Sequence, residues 1–190
     1  MDSEILKECF SKLVEQIGSN HPDWVGNRQF TGTPDRIVRF YEETCWDEDK
    51  ILRKLESCLS RTFQQEYDEM LVTEPISVWT LCPHHLLPCH FSVTVGYIPN
   101  GNVLGLSKFA RISTILGKRP IMQEEYTQEL ACLLQDRLKP NGVGVSVTGS
   151  HGCMSSRGVL QDLAVTTCCL KGTFLDQPAT RQEFLMRVRK

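Results

Sequence analysis

Two short runs constrain this chain more than any other feature. Phe91-Ser-Val-Thr-Val-Gly-Tyr97 and Val143-Gly-Val-Ser-Val147 alternate with period two, the pattern of strands that bury one face. Between them lie two stretches with helical spacing. Ser107 to Leu116 places Phe109, Ile112, Ile115 and Leu116 on one face, and Met122 to Leu138 does the same with Met122, Tyr126, Leu130, Leu133, Leu134 and Leu138. Pro140-Asn141-Gly142 stops the second helix. An extended run from Met70 to Thr80, broken around Pro75, precedes the first alternating strand. Val159 to Leu170, rich in Val, Thr and Cys, follows the second. The order ββααββ predicts an antiparallel sheet with helices on one face, an α+β architecture. Four strands leave two edges to be covered or paired. A closed ring of subunits sharing one barrel would pair them.

The chain upstream is helical in pattern. Ile5, Leu6, Phe10, Leu13, Val14 and Ile17 give a helix from residue 3 to about 18, closed by Gly18-Ser19-Asn20. After a polar stretch to Gly32, Thr33-Pro34 predicts a second start, with Thr33 as cap and Pro34 in the first turn. Ile51, Leu52, Leu55 and Leu59 mark a third helix. The expected organisation is an N-terminal helical region over 1–66 and a sheet-bearing domain over 67–190.

Composition narrows the classes of function. Of 190 residues, 21 are Lys or Arg and 23 are Asp or Glu, a formal charge of −2. That balance argues against nucleic-acid binding by bulk charge and leaves room for a local basic pocket. No apolar run approaches the ~20 residues of a membrane span. The start, MDSEILKECF, has acids and no apolar core of a secretory signal. The expectation is a cytoplasmic protein with no nucleic-acid or membrane partner. Nine cysteines in no even framework then read as reduced thiols, most of them small buried apolar residues.

Four of the five histidines fall in two short segments that also hold cysteine, Cys82-Pro83-His84-His85…Cys89-His90 and His151-Gly152-Cys153. Both lie at junctions between predicted elements, where side chains converge. Cys82 and His85, three apart, suit a turn that presents both to one ion, with Cys153 arriving from elsewhere. Two thiolates and one imidazole suit zinc, and three protein ligands leave a fourth position for water. Cys89 and His90 read as a strand-start pair rather than ligands. A second constellation, Gly105-Leu106-Ser107-Lys108-Phe109-Ala110-Arg111, opens a helix with Ser107 as N-cap. Lys108 and Arg111 share a face there and can both reach a phosphate.

In order and rough spacing, several segments resemble GTP cyclohydrolase I. They are Cys82-x-His84-His85-Leu86-Leu87-Pro88, Gly96-Tyr97-Ile98-Pro99, Gly105-Leu106-Ser107-Lys108-x-Ala110-Arg111, Gln123-Glu124 and His151-x-Cys153-Met154-x-x-Arg157-Gly158. Thr33-Pro34-x-Arg36 and Thr180-Arg181-x-Glu183-Phe184-Leu185 resemble that family too. The resemblance implies the tunnelling fold, with barrels shared in a homodecamer and active sites between subunits. It implies zinc held by Cys82, His85 and Cys153, and hydrolytic opening of the imidazole ring of GTP at C8. Formate would leave and the remainder rearrange to 7,8-dihydroneopterin triphosphate, feeding a folate, biopterin or 7-deazaguanine pathway.

Carried over by position, His151 would pass a proton to the departing nitrogen, and His84 would work near the ribose ring oxygen. Glu124, with Gln123 beside it, would anchor the guanine edge, because a carboxylate accepts from both N1–H and the 2-amino group. Ser107 would lie near the ribose hydroxyls, and Lys108, Arg111, Arg157 and Arg36 would hold the triphosphate. Pro83 departs from the family pattern, standing where a glutamate is expected, and Ile121-Met122 precedes Gln123 where a more polar pair is expected. The alternatives are a tunnelling-fold paralogue that only opens a related purine or pterin ring, and a non-catalytic GTP or pterin binder with structural zinc.

Overall fold

The computed structural model describes residues 2–21, 23 and 27–188, so residues 22 and 24–26 of the polar stretch before Gly32 lie outside the described residues. Helix α1 (Ser3–Ser19) is opened by Asp2, whose carboxylate accepts from the backbone N–H groups of Glu4 and Ile5 at 3.1 and 3.2 Å. It packs on α2 (Thr33–Thr44) through stacked Phe10 and Tyr41 rings 5.4 Å apart and a Lys7–Asp35 ion pair of 2.7 Å. Pro34 takes the first turn of α2 as expected. Thr33 does not cap it: Gly32 is the N-cap, and the Thr33 hydroxyl instead accepts from the Arg36 guanidinium at 2.8 Å.

By contact the chain separates into Met1–Asp47 and Glu48–Lys190. Helix α3 (Glu48–Leu59), which the sequence reading groups with the N-terminal helices, lies in the second unit. The elements that follow are β1 (Thr62–Gln64), β2 (Leu71–Val72), β3 (Ile76–Leu81), β4 (Pro88–Ile98), β5 (Asn102–Leu104), α4 (Leu106–Leu116) and α5 (Gln123–Leu138). Then come β6 (Gly142–His151), the single turn α6 (Gly152–Ser155), β7 (Val165–Gly172), α7 (Thr173–Asp176) and α8 (Pro178–Val188). Helix α3 packs on α4.

The main sheet is antiparallel throughout, in the order β2-β4-β6-β7, with β3 also paired to β4. β2 and β3 are therefore two pieces of one edge, interrupted where Pro75 removes a ladder donor. The alternation works as read. Phe91, Val93, Val95 and Tyr97 of β4 and Val143, Val145 and Val147 of β6 are buried against α4 and α5, which contribute Phe109, Ile112, Leu116, Tyr126, Leu130 and Leu134. The helices lie on one face of an antiparallel sheet, the predicted α+β arrangement.

Two features differ from the sequence reading. The expected strand from Val159 starts only at Val165. Gly158 and Leu160 take positive φ, 63° and 52°, which turns the backbone out of extended geometry and leaves Val159, Leu160 and Leu163 exposed. The β1–β5 ribbon and helix α8 are additional. Phe184 of α8 and Phe174 of α7 reach the core where β4 and β6 pair Gly96 with Gly144. A Cβ on Gly96 would stand 2.7 Å from the Phe184 ring, and one on Gly144 would stand 2.7 Å from Phe174. The rings occupy the space those glycines leave.

Candidate active site

The β3–β4 hairpin closes on a short loop that carries three of the predicted side chains. The Cys82 N–H donates to Leu87 O at 2.9 Å, and the Leu86 N–H donates to Cys82 O at 2.8 Å. Leu86 makes the turn with φ 53°, an uncommon conformation for a non-glycine residue. Neither backbone bond uses Pro83, so the missing N–H of that residue costs the loop nothing. The loop sets Cys82 Sγ 3.6 Å from His85 Nδ1 and 3.7 Å from His84 Nδ1.

The third partner arrives through the β4–β6 ladder. Cys89 pairs with His151 in register, and the chain turns from His151 directly into α6, which carries Cys153. The ligand atoms of Cys82, His85 and Cys153 lie within 4.8 Å of one another. Two ligands bound to zinc at ~2.3 Å (sulfur) and ~2.0–2.1 Å (nitrogen) on a tetrahedral angle stand about 3.5–3.6 Å apart. The observed Cys82–His85 separation of 3.6 Å fits. Burial, and then the nearby Cys82 thiol, pushes the Cys153 thiol up, and a cation replacing both protons would relieve that crowding.

Around the cluster the surroundings divide sharply. His151 Nε2 lies 2.8 Å from Gln123 Oε1, and its Nδ1 lies 3.5 Å from Cys89 Sγ. Gln123 is 3% exposed. Its Nε2 donates to Val147 O at 3.0 Å, Val165 O at 2.9 Å and Thr167 Oγ1 at 3.1 Å. Its amide is engaged inside the chain and turned to His151, where the resemblance places it beside the guanine edge. Glu124, the next residue, is exposed at the start of α5. Arg157, also exposed, donates from Nη1 to His85 Nε2 at 2.7 Å. A guanidinium has no acceptor, so this bond places the His85 lone pair on Nε2 and its hydrogen on Nδ1.

Ser107, Lys108 and Arg111 stand elsewhere. Helix α4 starts one residue earlier than expected, with Gly105 as N-cap, and Ser107 makes no capping bond. Its first turn packs at the far end of β4: Phe109 lies 5.1 Å from the Tyr97 ring, and the Leu104 N–H donates to Tyr97 Oη at 3.1 Å. At ~3.3 Å per residue, β4 from Cys89 to Tyr97 spans roughly 26 Å. Arg36 belongs to the N-terminal unit, where its guanidinium donates to Thr31 O, Gln29 O and Thr33 Oγ1.

Cys89 is the neighbour of the cluster that motif spacing misses. It is 1% exposed, and burial, then the nearby Cys153 and Cys82, pushes its thiol up to about 12. The signal that finds it is strand register, which brings residues 89 and 151 face to face.

Fold and cluster define an α+β domain with two thiols and an imidazole that could hold a metal ion, flanked by two further histidines. Comparison with known proteins makes this specific. The GTP cyclohydrolase I family model matches residues 6–189. GTP cyclohydrolase 1 of Aquifex aeolicus is 37% identical over 190 residues, covering 100% of this chain and 98% of that one. The Clostridium perfringens (strain 13) protein of the same name is 36% identical, covering 96% of each chain. The Homo sapiens protein is 42% identical over 97% of this chain and 72% of its own. The chain belongs to the GTP cyclohydrolase I family and is an enzyme of that family. Among the described residues no helix is long and apolar enough to cross a membrane.

Proposed function

We propose that the chain opens the imidazole ring of GTP hydrolytically at C8, with zinc as cofactor. Formate is released and the remainder rearranges to 7,8-dihydroneopterin triphosphate. The observation that carries this reading is the convergence of Cys82, His85 and Cys153 beside His84 and His151, in a chain of this family. The donor set fits zinc by chemistry and by spacing, and Cys82, His85 and Cys153 are the residues that would hold it. When bound, zinc supplies a Lewis acid that brings the pKa of water toward ~7.

The chain's own residues do the rest. His151 delivers its Nε2 proton to the nitrogen that departs when the ring opens, exchanging Gln123 Oε1 for that nitrogen as partner, and His84 exchanges protons near the ribose ring oxygen. Imidazoles suit both tasks because their ordinary pKa lies near ~6.5. Glu124, exposed at the first turn of α5, accepts from N1–H and the 2-amino group and so selects guanine over adenine. Arg157 holds phosphate oxygens, with Arg36 as a further cation. Were His85 to serve as a ligand through Nδ1, the atom that faces Cys82 Sγ, its hydrogen would sit on Nε2 and the Arg157 guanidinium would be released to hold substrate.

Ser107, Lys108 and Arg111, at the other end of β4, serve a second copy's cluster, so the working enzyme is a homo-oligomer of tunnelling-fold subunits, a decamer by family resemblance. The open edges at β7 and at β2–β3 are where copies would pair. The protein is read as cytoplasmic, with folate, biopterin or 7-deazaguanine synthesis as the consuming pathway.

The test is to incubate zinc-loaded protein with GTP and measure formate and, after oxidation, fluorescent neopterin, with a chelator-treated control. Both products, lost on chelation, support the reading. Formate alone would mean that ring opening stalls, and neither product would overturn the assignment.

A further inference from the structure

Neither ring nitrogen of His151 faces empty space, and the identity of its two partners settles which nitrogen carries the hydrogen. The Gln123 amide is oriented without ambiguity, because its Nε2 lies within 3.1 Å of three acceptors, two of them backbone carbonyls. An oxygen in that position would face other lone pairs. Gln123 Oε1 therefore points at His151 Nε2, 2.8 Å away. An amide oxygen only accepts, so Nε2 is the N–H. In the neutral ring the lone pair is then on Nδ1, opposite Cys89 Sγ at 3.5 Å. The thiol is the donor of that bond.

Both partners are rigidly placed. Cys89 faces His151 in the β4–β6 register and is 1% exposed. Gln123 is held by β6, β7 and Thr167, whose hydroxyl is in turn 2.6 Å from Thr127 Oγ1. Gly149 supplies the room for the amide, since a Cβ there would collide with Gln123 Oε1 and stand 2.9 Å from His151 Nε2.

We propose that Cys89 and Gln123 are positioning residues that clamp His151 from both sides, holding it as the Nε2–H tautomer with its ring plane fixed beside the Cys82–His85–Cys153 cluster. The kinetic consequence rests on the ring-opening reading above; the tautomer does not. Support of a reactive or ligating imidazole by a partner at the other nitrogen typically matters ten- to hundredfold. Cys89 supplies that support from a position with no access to solvent.

The experiment uses full-length, metal-free protein labelled with 15N-histidine. Ring nitrogen resonances are assigned to His151 by their loss in His151→Ala. The expected wild-type pattern is that of an Nε2–H imidazole. Cys89→Val, nearly the same size and without a donor, should keep Nε2–H, because Gln123 Oε1 still accepts, but move the Nδ1 resonance as that nitrogen loses its hydrogen bond, and Cys89→Ser should restore it. In zinc-loaded protein, Cys89→Val should lower kcat for formate release about tenfold, with KM for GTP and zinc content unchanged and Cys89→Ser within about threefold of wild type. Should Cys89→Val not fold, Cys89→Ala removes the donor without adding volume and repeats the test. A wild-type Nδ1–H pattern would overturn the proposal, as would wild-type spectra and kcat in the donor-less variant. Zinc loss in Cys89→Val would also overturn it, by assigning the thiol to the metal site instead. If wild-type protein releases no formate while the tautomer pattern holds, the ring-opening reading fails and the clamp stands.

Discussion

The two ends of β4 carry different chemistry. At the Pro88 end, Cys82, His84, His85, Cys89, His151 and Cys153 crowd together, and the buried members have their hydrogen bonds met inside the chain. At the Ile98 end, the first two turns of α4 carry Ser107, Lys108 and Arg111, with Phe109 between them packed on Tyr97. The first end gathers thiols and imidazoles that could hold a cation; the second gathers a hydroxyl and two cationic side chains. A strand's length separates them, so one copy of the chain does not bring the two groups together. On the function proposed above, the separation means that a substrate reaching both groups would lie between two copies of the chain.

Changes that break the reactive end should have the largest effect. Cys153→Ala is expected to reduce bound zinc from about one ion per chain toward none and to abolish formate release, with the sheet intact by circular dichroism. Full metal retention, read by elemental analysis, would remove Cys153 from the ligand set. His151→Ala should keep its zinc while formate release falls on the order of 10²–10⁴-fold. A loss below tenfold would end its role in proton transfer.

Changes at the basic end should be milder and of another kind. Arg111→Ala is expected to raise KM for GTP about tenfold, one charge-assisted contact, with kcat within a factor of about three. Subunits of Lys108→Ala/Arg111→Ala mixed with subunits of His151→Ala, then unfolded and refolded together, should regain activity at low GTP that neither shows alone. No regain would place both ends in one chain's own site.

The smallest effect tests a contact outside both ends. The hydrogen bond from Arg137 holds the Glu56 carboxyl below the usual carboxylate range. The contribution of the pair is present above the ordinary Glu value of ~4.3 and lost as pH falls through the lower folded value. Glu56→Gln should lower Tm by about a degree or less at pH 7 and leave it unchanged near pH 2. A larger shift at pH 7 would mark the α3–α5 connection as structural support for the sheet.

Most of the fold is legible in the sequence because the alternation of β4 and β6 and the helical faces of α4 and α5 survive into the structure as one buried layer. The strand expected from Val159 is not, because Gly158 and Leu160 turn the chain before β-propensity can act. The metal-type cluster is legible because Cys82 and His85 share one turn and Cys153 stands in a matching motif. Cys89 and the inward turn of Gln123 are not legible there. The place of Cys89 follows from the register of β4 on β6, and that of Gln123 from the packing of α5 on β6 and β7, neither of which a local motif carries.

The paired glycines of β4 and β6 have a consequence for how the sheet opens. At Gly96 and Gly144 the two strands carry no side chains of their own, and the rings of Phe174 and Phe184 stand in for them. Undocking of α7 and α8 would strip that part of the ladder, so its amides should exchange with solvent deuterium by a partial opening. The amides between Cys89 and Val93 lie beneath α5 and Tyr126 and should exchange only when the whole domain unfolds. A graded protection pattern along one strand would show the Ile98 end as the yielding part of the scaffold and the Pro88 end as its fixed point.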